Sequence, residues 1–311
     1  MTVNAKRAAA YVAKVGARHA LPVLNDSAAA MAPLLACPAD RSYPLAVSDG
    51  GLRCRTCGRA FPIADGVVQM LRDPVVPGDL AAREMRARDA RAFEYDHVIP
   101  RYVQMVETEA IMRRLAVRPG HLVLDAGAGT GKLTHAAAAA GAAVLAVDFS
   151  VASLHVNRRK ARRDWRIHLV AGDIRELPAR PEAFDRVVCA QVIEHVPDPA
   201  DRRLAVELMR RALKPGGRLV LTAYNYTLAG RFGGEREGLH AGEIFFHRFT
   251  APELRGLFDG FEVEELCGIR NLPTLAITGL GRFAARVDHF VERLPWSRLA
   301  GDLLLVVARR L

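Results

Sequence analysis

The stretch VLDAGAGTGK, from Val123 to Lys132, holds the residue types and spacing best suited to chemistry in this chain. An apolar strand runs into Asp125 and then into Gly127, Gly129 and Gly131 at alternate positions, before a helical pattern begins. Glycine suits such a turn because the backbone must bend tightly at a strand end and approach a ligand with no Cβ in the way. A dinucleotide fingerprint reads G-x-G-x-x-G and sets a pyrophosphate on a helix N-terminus. This turn reads D-x-G-x-G-x-G instead, and a carboxylate at the strand end would repel a pyrophosphate while suiting a cation. S-adenosylmethionine, with its ammonium and sulfonium, has that charge pattern.

Four further segments follow in order. A second apolar strand, Ala143 to Val147, ends in Asp148, near the ~20-residue offset at which an acid holds ribose hydroxyls in nucleotide-binding βαβ units. Then come VAGDIRELP (Val170 to Pro178), FDRVVCAQVIEHVPDP (Phe184 to Pro199) and LKPGGRLVLTAYN (Leu213 to Asn225). In this order the motifs resemble the class I S-adenosylmethionine-dependent methyltransferases, from roughly Ala90 to the C-terminus. The Glu-His-Val-Pro-Asp-Pro run after the fourth strand is similar to the small-molecule, ubiquinone-biosynthesis-like branch. Strand and helix alternate throughout, the pattern of a parallel doubly wound sheet. The expected fold is therefore α/β: a Rossmann-like, seven-stranded methyltransferase sheet, with a small N-terminal zinc-ribbon-like β domain ahead of it.

Ligands of such sheets bind beyond the carboxyl ends of the strands, where all these motifs fall. With the resemblance, that implies a cofactor set. Asp125 and the glycine turn would face the methionine ammonium and carboxylate, and Asp148 would take the ribose hydroxyls. Phe149 would lie beside the adenine, Ser150 after it would belong to the same cofactor set, Asp173 would accept from the adenine amino group, Ile174 would pack on the ring, and Gln191 would close the pocket. Plainer readings exist: Asp173 could cap the turn before Arg175, and Asp148 the next helix. In related methyltransferases N-terminal helices cover the cofactor, with a Tyr-Asp pair like Tyr95-Asp96 near its methionine end.

A sulfonium methyl is already activated, so transfer needs mainly positioning, worth up to about 7 to 11 kcal/mol. A base is needed if the acceptor is a hydroxyl or a protonated amine. His195 is the first candidate, because it follows the fourth strand and an unperturbed histidine titrates near neutrality. It could instead simply fix the loop before Pro197. Tyr224 and His240 join it from YNYTLAGRFGGEREGLHAGEIFFHRF (Tyr224 to Phe249), read as a glycine-rich loop shaping the acceptor site. In the ubiquinone-type enzymes a Glu-x-x-Glu-His set is linked to a divalent cation. Gln191 stands in place of the first acid, so no catalytic metal is carried over.

The rest of the chain must position this site. Residues 1–33 read as an alanine-rich helical extension. Residues 34–72 hold Cys37, Asp40, Cys54, Cys57 and FPIADG, two knuckles joined by a hairpin, in which tetrahedral zinc would staple a segment too small for its own core. This resembles the small zinc-ribbon family that activates RNA and protein methyltransferases, with Asp40 where the family has the second cysteine. Structural zinc is thus an expected second cofactor, and a metal-free ribbon packed on the catalytic domain is the other reading. Residues 73–118 read as a linker and cofactor-covering helices, and residues 119–311 as the methyltransferase domain. Within it, FTAPELRGLF reads as a capped helix, FEVEELCGI and DLLLVVARR as the sixth and seventh strands, and TLAITGLGRFAARVDHFVERL as one amphipathic helix.

At 311 residues the chain suits one catalytic domain with a small appendage. No apolar run approaches the ~18 residues of a membrane span, and no secretory signal is read, so a cytoplasmic protein is expected. Five cysteines, with one C-x-x-C, suit a reduced compartment and a metal site. The net charge of +10 raises RNA as an alternative acceptor, with Arg158, Arg159, Lys160, Arg162, Arg163 and Arg166 as the densest cluster. A solvated basic helix face is the plainer reading, and the base-amino Asn/Asp-Pro-Pro-aromatic signature is missing after the fourth strand. The expected partner is a small-molecule methyl acceptor, with a non-catalytic cofactor-binding subunit as a further alternative. The sequence carries no signal for an oligomeric state.

Overall fold

The computed structural model describes residues 28–71, 80–94, 99–240 and 244–311. The ribbon region supplies β1 (Ala46–Ser48), β2 (Gly51–Arg53), β3 (Ala60–Ala64) and β4 (Val67–Gln69), each antiparallel to the next. Two helices follow, α1 (Leu80–Arg91) and α2 (Arg101–Leu115). The catalytic region then alternates β5 (Leu122–Ala126), α3 (Lys132–Ala139), β6 (Ala143–Asp148), α4 (Val151–Lys160) and β7 (Arg166–Ala171). It continues with β8 (Phe184–Ala190), α5 (Pro199–Ala212) and β9 (Leu213–Tyr224).

β5 and β6 are almost continuous runs of valine, leucine and alanine up to the aspartate at or near their ends, and β7 and β8 bury Ile167, Leu169, Val170, Val187 and Val188, as strands covered on both faces by helices require. Among the described residues the catalytic strands lie in the order β7-β6-β5-β8-β9, followed by β13 (Leu303–Arg310) and β12 (Phe261–Ile269), seven strands as expected. β13 runs antiparallel between its two neighbours, with Val306 opposite Leu221 and Leu266. β5 pairs in parallel with β6 on one side and β8 on the other, so the chain reverses direction across the sheet there. Such a switch point opens a crevice at the strand ends.

The ribbon departs from the expectation of a separate appendage. β4 pairs in parallel with β7, Val68 opposite Val170, so the sheet runs on from the catalytic strands into the ribbon. Leu52, Phe61, Val68 and Met70 share one apolar core with Ile174, Leu177 and Ala179. A segment this short cannot bury enough surface by itself, and sharing a core resolves that. Arg158 belongs to the same junction: it is buried in α4 and donates to the carbonyl oxygen of Asp65. It is therefore not part of a solvated basic face, as the arginine cluster had suggested.

Two other segments differ from expectation. The stretch after β9 is not a loop throughout, because β10 (Glu237–His240) and β11 (Ile244–His247) form an antiparallel hairpin within it. The anticipated amphipathic helix is two, α7 (Thr274–Leu280) and α8 (Ala284–Glu292), broken where Gly281 takes φ +55°. The helix before them, α6 (Ala251–Arg255), carries the expected capping box between Thr250 and Glu253. A last short helix, α9 (Ser297–Ala300), leads into β13. Tyr95 and Asp96 lie outside the described residues, as does the extension up to residue 27.

Candidate functional site

The crevice at the β5/β8 switch point is walled by several of the predicted residues: Asp125, Gly127, Gly129, Asp148, Phe149, Asp173, Ile174, Gln191 and His195. Gly131 and Ser150 support the wall without forming part of it. The glycines divide by role. A Cβ on Gly127 would run into Val192, and one on Gly131 into Asn157, while both residues hold positive φ. The protein's own packing therefore demands these two. Gly129, at φ +50°, faces open space, and its N–H donates to Asp148 Oδ2 at 2.7 Å. Of the three, Gly129 is the one whose missing Cβ leaves open space at the crevice wall.

The two strand-end carboxylates are fixed differently. Asp148 accepts from Gly129 N–H and, at 2.8 Å, from Ser150 N–H, so backbone amides hold both its oxygens. The Ser150 hydroxyl accepts from Ser153 N–H to cap α4 and donates to Asp89 on α1 at 2.6 Å. Asp125 is fully buried and accepts from the Thr134 hydroxyl at 2.6 Å. Among the described residues it has no ion-pair partner. Burial raises its pKa to about 6, the charge of Asp148 adds to the shift, and the Thr134 hydrogen bond opposes it. A ligand ammonium would reverse that cost, which is the fit expected of S-adenosylmethionine. Asp173 caps the turn after β7 and pairs with Arg175 at 2.6 Å, as the plainer reading had it, while still bordering the crevice.

Sequence reasoning missed the charged network over the crevice. Glu107 on α2 is buried, accepts from Gln191 Nε2 at 2.6 Å and pairs with Lys132 Nζ at 2.9 Å. Glu84 and Arg88 pair at 2.7 Å on α1. A signal for Glu107 was present: with Val103 and Ile111 it lies at i, i+4, i+8 on the buried stripe of α2, where a carboxylate is out of place.

Beyond the cofactor-side groups, His195, Tyr224 and His240 come together from three segments. Their ring centroids are 5.7 Å (His195–Tyr224), 5.8 Å (Tyr224–His240) and 6.3 Å (His195–His240) apart, each pair edge-on. His195 borders the crevice, and the other two pack around it without being part of the wall. His195 Nδ1 lies 2.7 Å from the Phe245 carbonyl oxygen. A carbonyl only accepts, so Nδ1 carries the proton and Nε2 keeps its lone pair. Burial, helped by Arg88, pushes its pKa down to about 3, far from the near-neutral value of a free histidine, so the ring is neutral at physiological pH. His240 stacks on Phe246 at 4.4 Å, and its buried Nε2 has no hydrogen-bond partner among the described residues. Beside His195, Glu194 is fully buried with neither carboxyl oxygen bonded, and burial raises its pKa to about 8.

The ribbon collects a second donor set. Ligand atoms of Cys37, Asp40, Cys54 and Cys57 lie within 4.8 Å of one another. Cys37 and Cys57 sulfurs are 3.7 Å apart, and Cys54 Sγ is 3.3 Å from Asp40 Oδ2. Tetrahedral zinc with ~2.3 Å Zn–S bonds needs sulfurs roughly 3.8 Å apart, so the donors fit zinc with Asp40 in the fourth place. Thr56 and Cys57 N–H groups both donate to Cys54 Sγ at 3.3 Å, as in a thiolate-holding knuckle.

Comparison with known proteins agrees with both regions. A family of methyltransferase domains matches residues 124–221, the segment that carries the crevice. The chain carries a class I methyltransferase domain. Ahead of it, residues 30–66 match the family of Trm112p-like proteins. The methyltransferase region is 38% identical over 116 residues to a demethylmenaquinone methyltransferase of Clavibacter sepedonicus, covering 37% of this chain and 46% of that protein. It is 39% identical over 129 residues to a ubiquinone biosynthesis O-methyltransferase of Xylella fastidiosa, covering 40% of this chain and 50% of that one. The chain thus spans about half the length of these curated relatives. In fold, the chain is similar to the 1,6-didemethyltoxoflavin-N1-methyltransferase of Burkholderia thailandensis, with a TM-score of 0.53 at 20% identity over 83% of this chain and 98% of that one. It is also similar to the complex of the Haloferax volcanii Trm112 activator with a methyltransferase, with a TM-score of 0.53 at 22% identity over 71% and 96% of the two chains. Among the described residues no helix is long and apolar enough to cross a membrane.

Proposed function

We propose that this chain is an S-adenosylmethionine-dependent methyltransferase acting on a small molecule held between the glycine turn and His195. The observation that carries the reading is the buried, unpaired Asp125 opening onto the same crevice as the neutral His195. When bound, S-adenosylmethionine supplies a methyl group already activated by its sulfonium. Asp125 would hold the ammonium, Asp148 and Gly129 the ribose, and Phe149 and Ile174 the adenine. Glu107, Gln191 and Lys132 brace α2 over the crevice.

His195 Nε2 receives the proton of an acceptor hydroxyl or amine, because its Nδ1–H is committed to Phe245. An imidazole so strongly depressed is a weak base in the free enzyme, so its first task is to orient the acceptor. Tyr224 and His240 pack around that ring and fix its plane. We place the enzyme in the cytoplasm, since five cysteines with one C-x-x-C suit a reduced compartment and a metal site. RNA is the weaker acceptor, because the arginine cluster is partly engaged: Arg158 clamps the ribbon, Arg159 lies over Phe93 and Arg162 pairs with Asp164.

The test offers labelled S-adenosylmethionine and the purified chain two acceptor pools, a small-metabolite extract and total RNA, at low and moderate salt. Label in the metabolite fraction, lost in His195→Ala, supports the reading. Label in RNA that falls steeply with salt overturns the choice of acceptor. No label in either pool, with cofactor still bound, favours a non-catalytic subunit.

A further inference from the structure

α7, α8 and α9 leave an apolar face uncovered on the far side of α2. Phe283, Val287 and Phe290 are exposed at a spacing of four and three residues, which lines them up on one side of α8. Leu275 on α7 is 85% exposed and Phe290 is 69% exposed, values far from those of residues that merely border a core. Trp296 and Leu299, a few residues further along the chain, are exposed as well. Leu228 N–H donates to the Leu299 carbonyl at 2.7 Å, which sets exposed Leu228 of the segment after β9 beside Leu299. Exposed large apolar side chains concentrated in one segment in this way mark a surface made to be covered.

Charge selects what covers it. Arg282, Arg286, Arg293 and Arg298 are all exposed along this segment, and none is ion-paired among the described residues. The guanidinium groups of Arg282 and Arg286 lie over the Phe283 ring at 5.1 and 5.9 Å, so cation and apolar surface are presented together. The acids of the same segment are turned inward. Asp288 is buried and accepts from the backbone N–H groups of Arg270 and Asn271 at 2.9 and 2.7 Å, and Glu292 is buried against Arg113 at 2.7 Å. Two copies face to face would crowd arginine against arginine, which like-charge repulsion disfavours. A bilayer with anionic headgroups matches every feature: acyl chains for the leucines and phenylalanines, phosphates for the arginines, and the headgroup level for Trp296.

We propose that the α7–α9 face docks the protein on the surface of an anionic phospholipid bilayer, with α8 lying in the plane of the interface. The inward face of the same helices packs Ile277, Ala284 and Ala285 against Val103 and Val106 of α2. Ile99 packs on that cluster and also borders the crevice, so the docked face lies one apolar layer from the site. The docking rests on this face alone and holds whether or not the crevice transfers methyl groups.

The experiment sediments the full chain with vesicles of phosphatidylcholine alone and of phosphatidylcholine mixed with phosphatidylglycerol, at low and high salt. The chain should sediment with the anionic vesicles and be released by salt. Leu275→Ser combined with Phe290→Ser should weaken this at least about tenfold, and Arg282→Glu combined with Arg286→Glu about tenfold or more. Both variants should keep the wild-type melting temperature, since all four side chains are exposed. Three results would overturn the proposal. One is a wild type that stays in the supernatant with either vesicle. Another is variants that bind as well as wild type, which moves the contact to another basic surface. The third is a dimer that ignores vesicles and is dispersed by the serine substitutions, which shows that a second copy covers the face.

Discussion

The two halves of the crevice are built on opposite plans. On the proposed cofactor side the groups sit at or just past the ends of sheet strands: Asp148 is held by two backbone N–H groups, Asp125 by the Thr134 hydroxyl, and Gly127 and Gly131 by packing that admits no side chain. On the acceptor side three rings arrive from the turn after β8, the end of β9 and the β10 hairpin, held by one carbonyl hydrogen bond and by edge-on ring contacts. On the proposed reading, the sheet lends rigidity to the half that would hold the cofactor. The other half, which would hold the acceptor, is assembled from separate segments. Charge divides the same way: a buried, unpaired carboxyl waits for a cation on one side, and a neutral imidazole waits for a proton donor on the other.

The sharpest way to separate the halves is His195→Ala. Loss of the ring that orients the acceptor should lower the methyl-transfer rate by about 10²-fold and leave calorimetric affinity for S-adenosylmethionine unchanged. A parallel loss of cofactor affinity would mean that the two halves are not independent.

A smaller effect comes from the cofactor side. Asp125 gains a proton below a pKa of about 6 and then no longer attracts an ammonium. Affinity for S-adenosylmethionine should fall about tenfold per pH unit below that point, and Asp125→Asn should bind weakly at every pH. Titration calorimetry across that range reads both.

The smallest effect concerns Glu194, between the halves. In the unfolded chain it ionises near its ordinary value of 4.5, whereas the fold holds its proton up to about 8. The folded state therefore binds the extra proton in that window, so stability is fully present below it and is lost as pH rises through it. His195 acts in the opposite sense. The unfolded chain binds its proton between about 3 and 6.5, so its contribution is full above that range and is lost on acidification. Glu194→Gln should flatten the alkaline decline and leave the acid side unchanged. Melting temperatures across the pH range would show the difference, roughly a few degrees.

The same contrast explains what the sequence made legible. Asp125, the alternating glycines and Asp148 are local: each lies within a few residues of an apolar strand, and a parallel sheet gathers strand ends at one edge. The capping box at Thr250 was readable for the same reason. Glu84, Arg88 and Glu107 were not, because their importance arises only when α1 and α2 close over the crevice, a long-range packing event without a motif. The pairing of β4 with β7 was hidden too, since an edge strand's partner is chosen by shape across about a hundred residues of chain. His195 shows the remaining gap. Its position followed from the fourth strand, but its protonation state depends on burial that only the folded β10–β11 hairpin provides.

The central claim is that the crevice binds S-adenosylmethionine through the strand-end carboxylates. Isothermal calorimetry of the wild type and of Asp148→Asn, with melting temperatures alongside, tests it most directly. Removing the charge that faces the ribose should weaken binding by about tenfold or more while the variant remains folded. A wild type that takes up no S-adenosylmethionine, or a folded variant with unchanged affinity, would contradict the account.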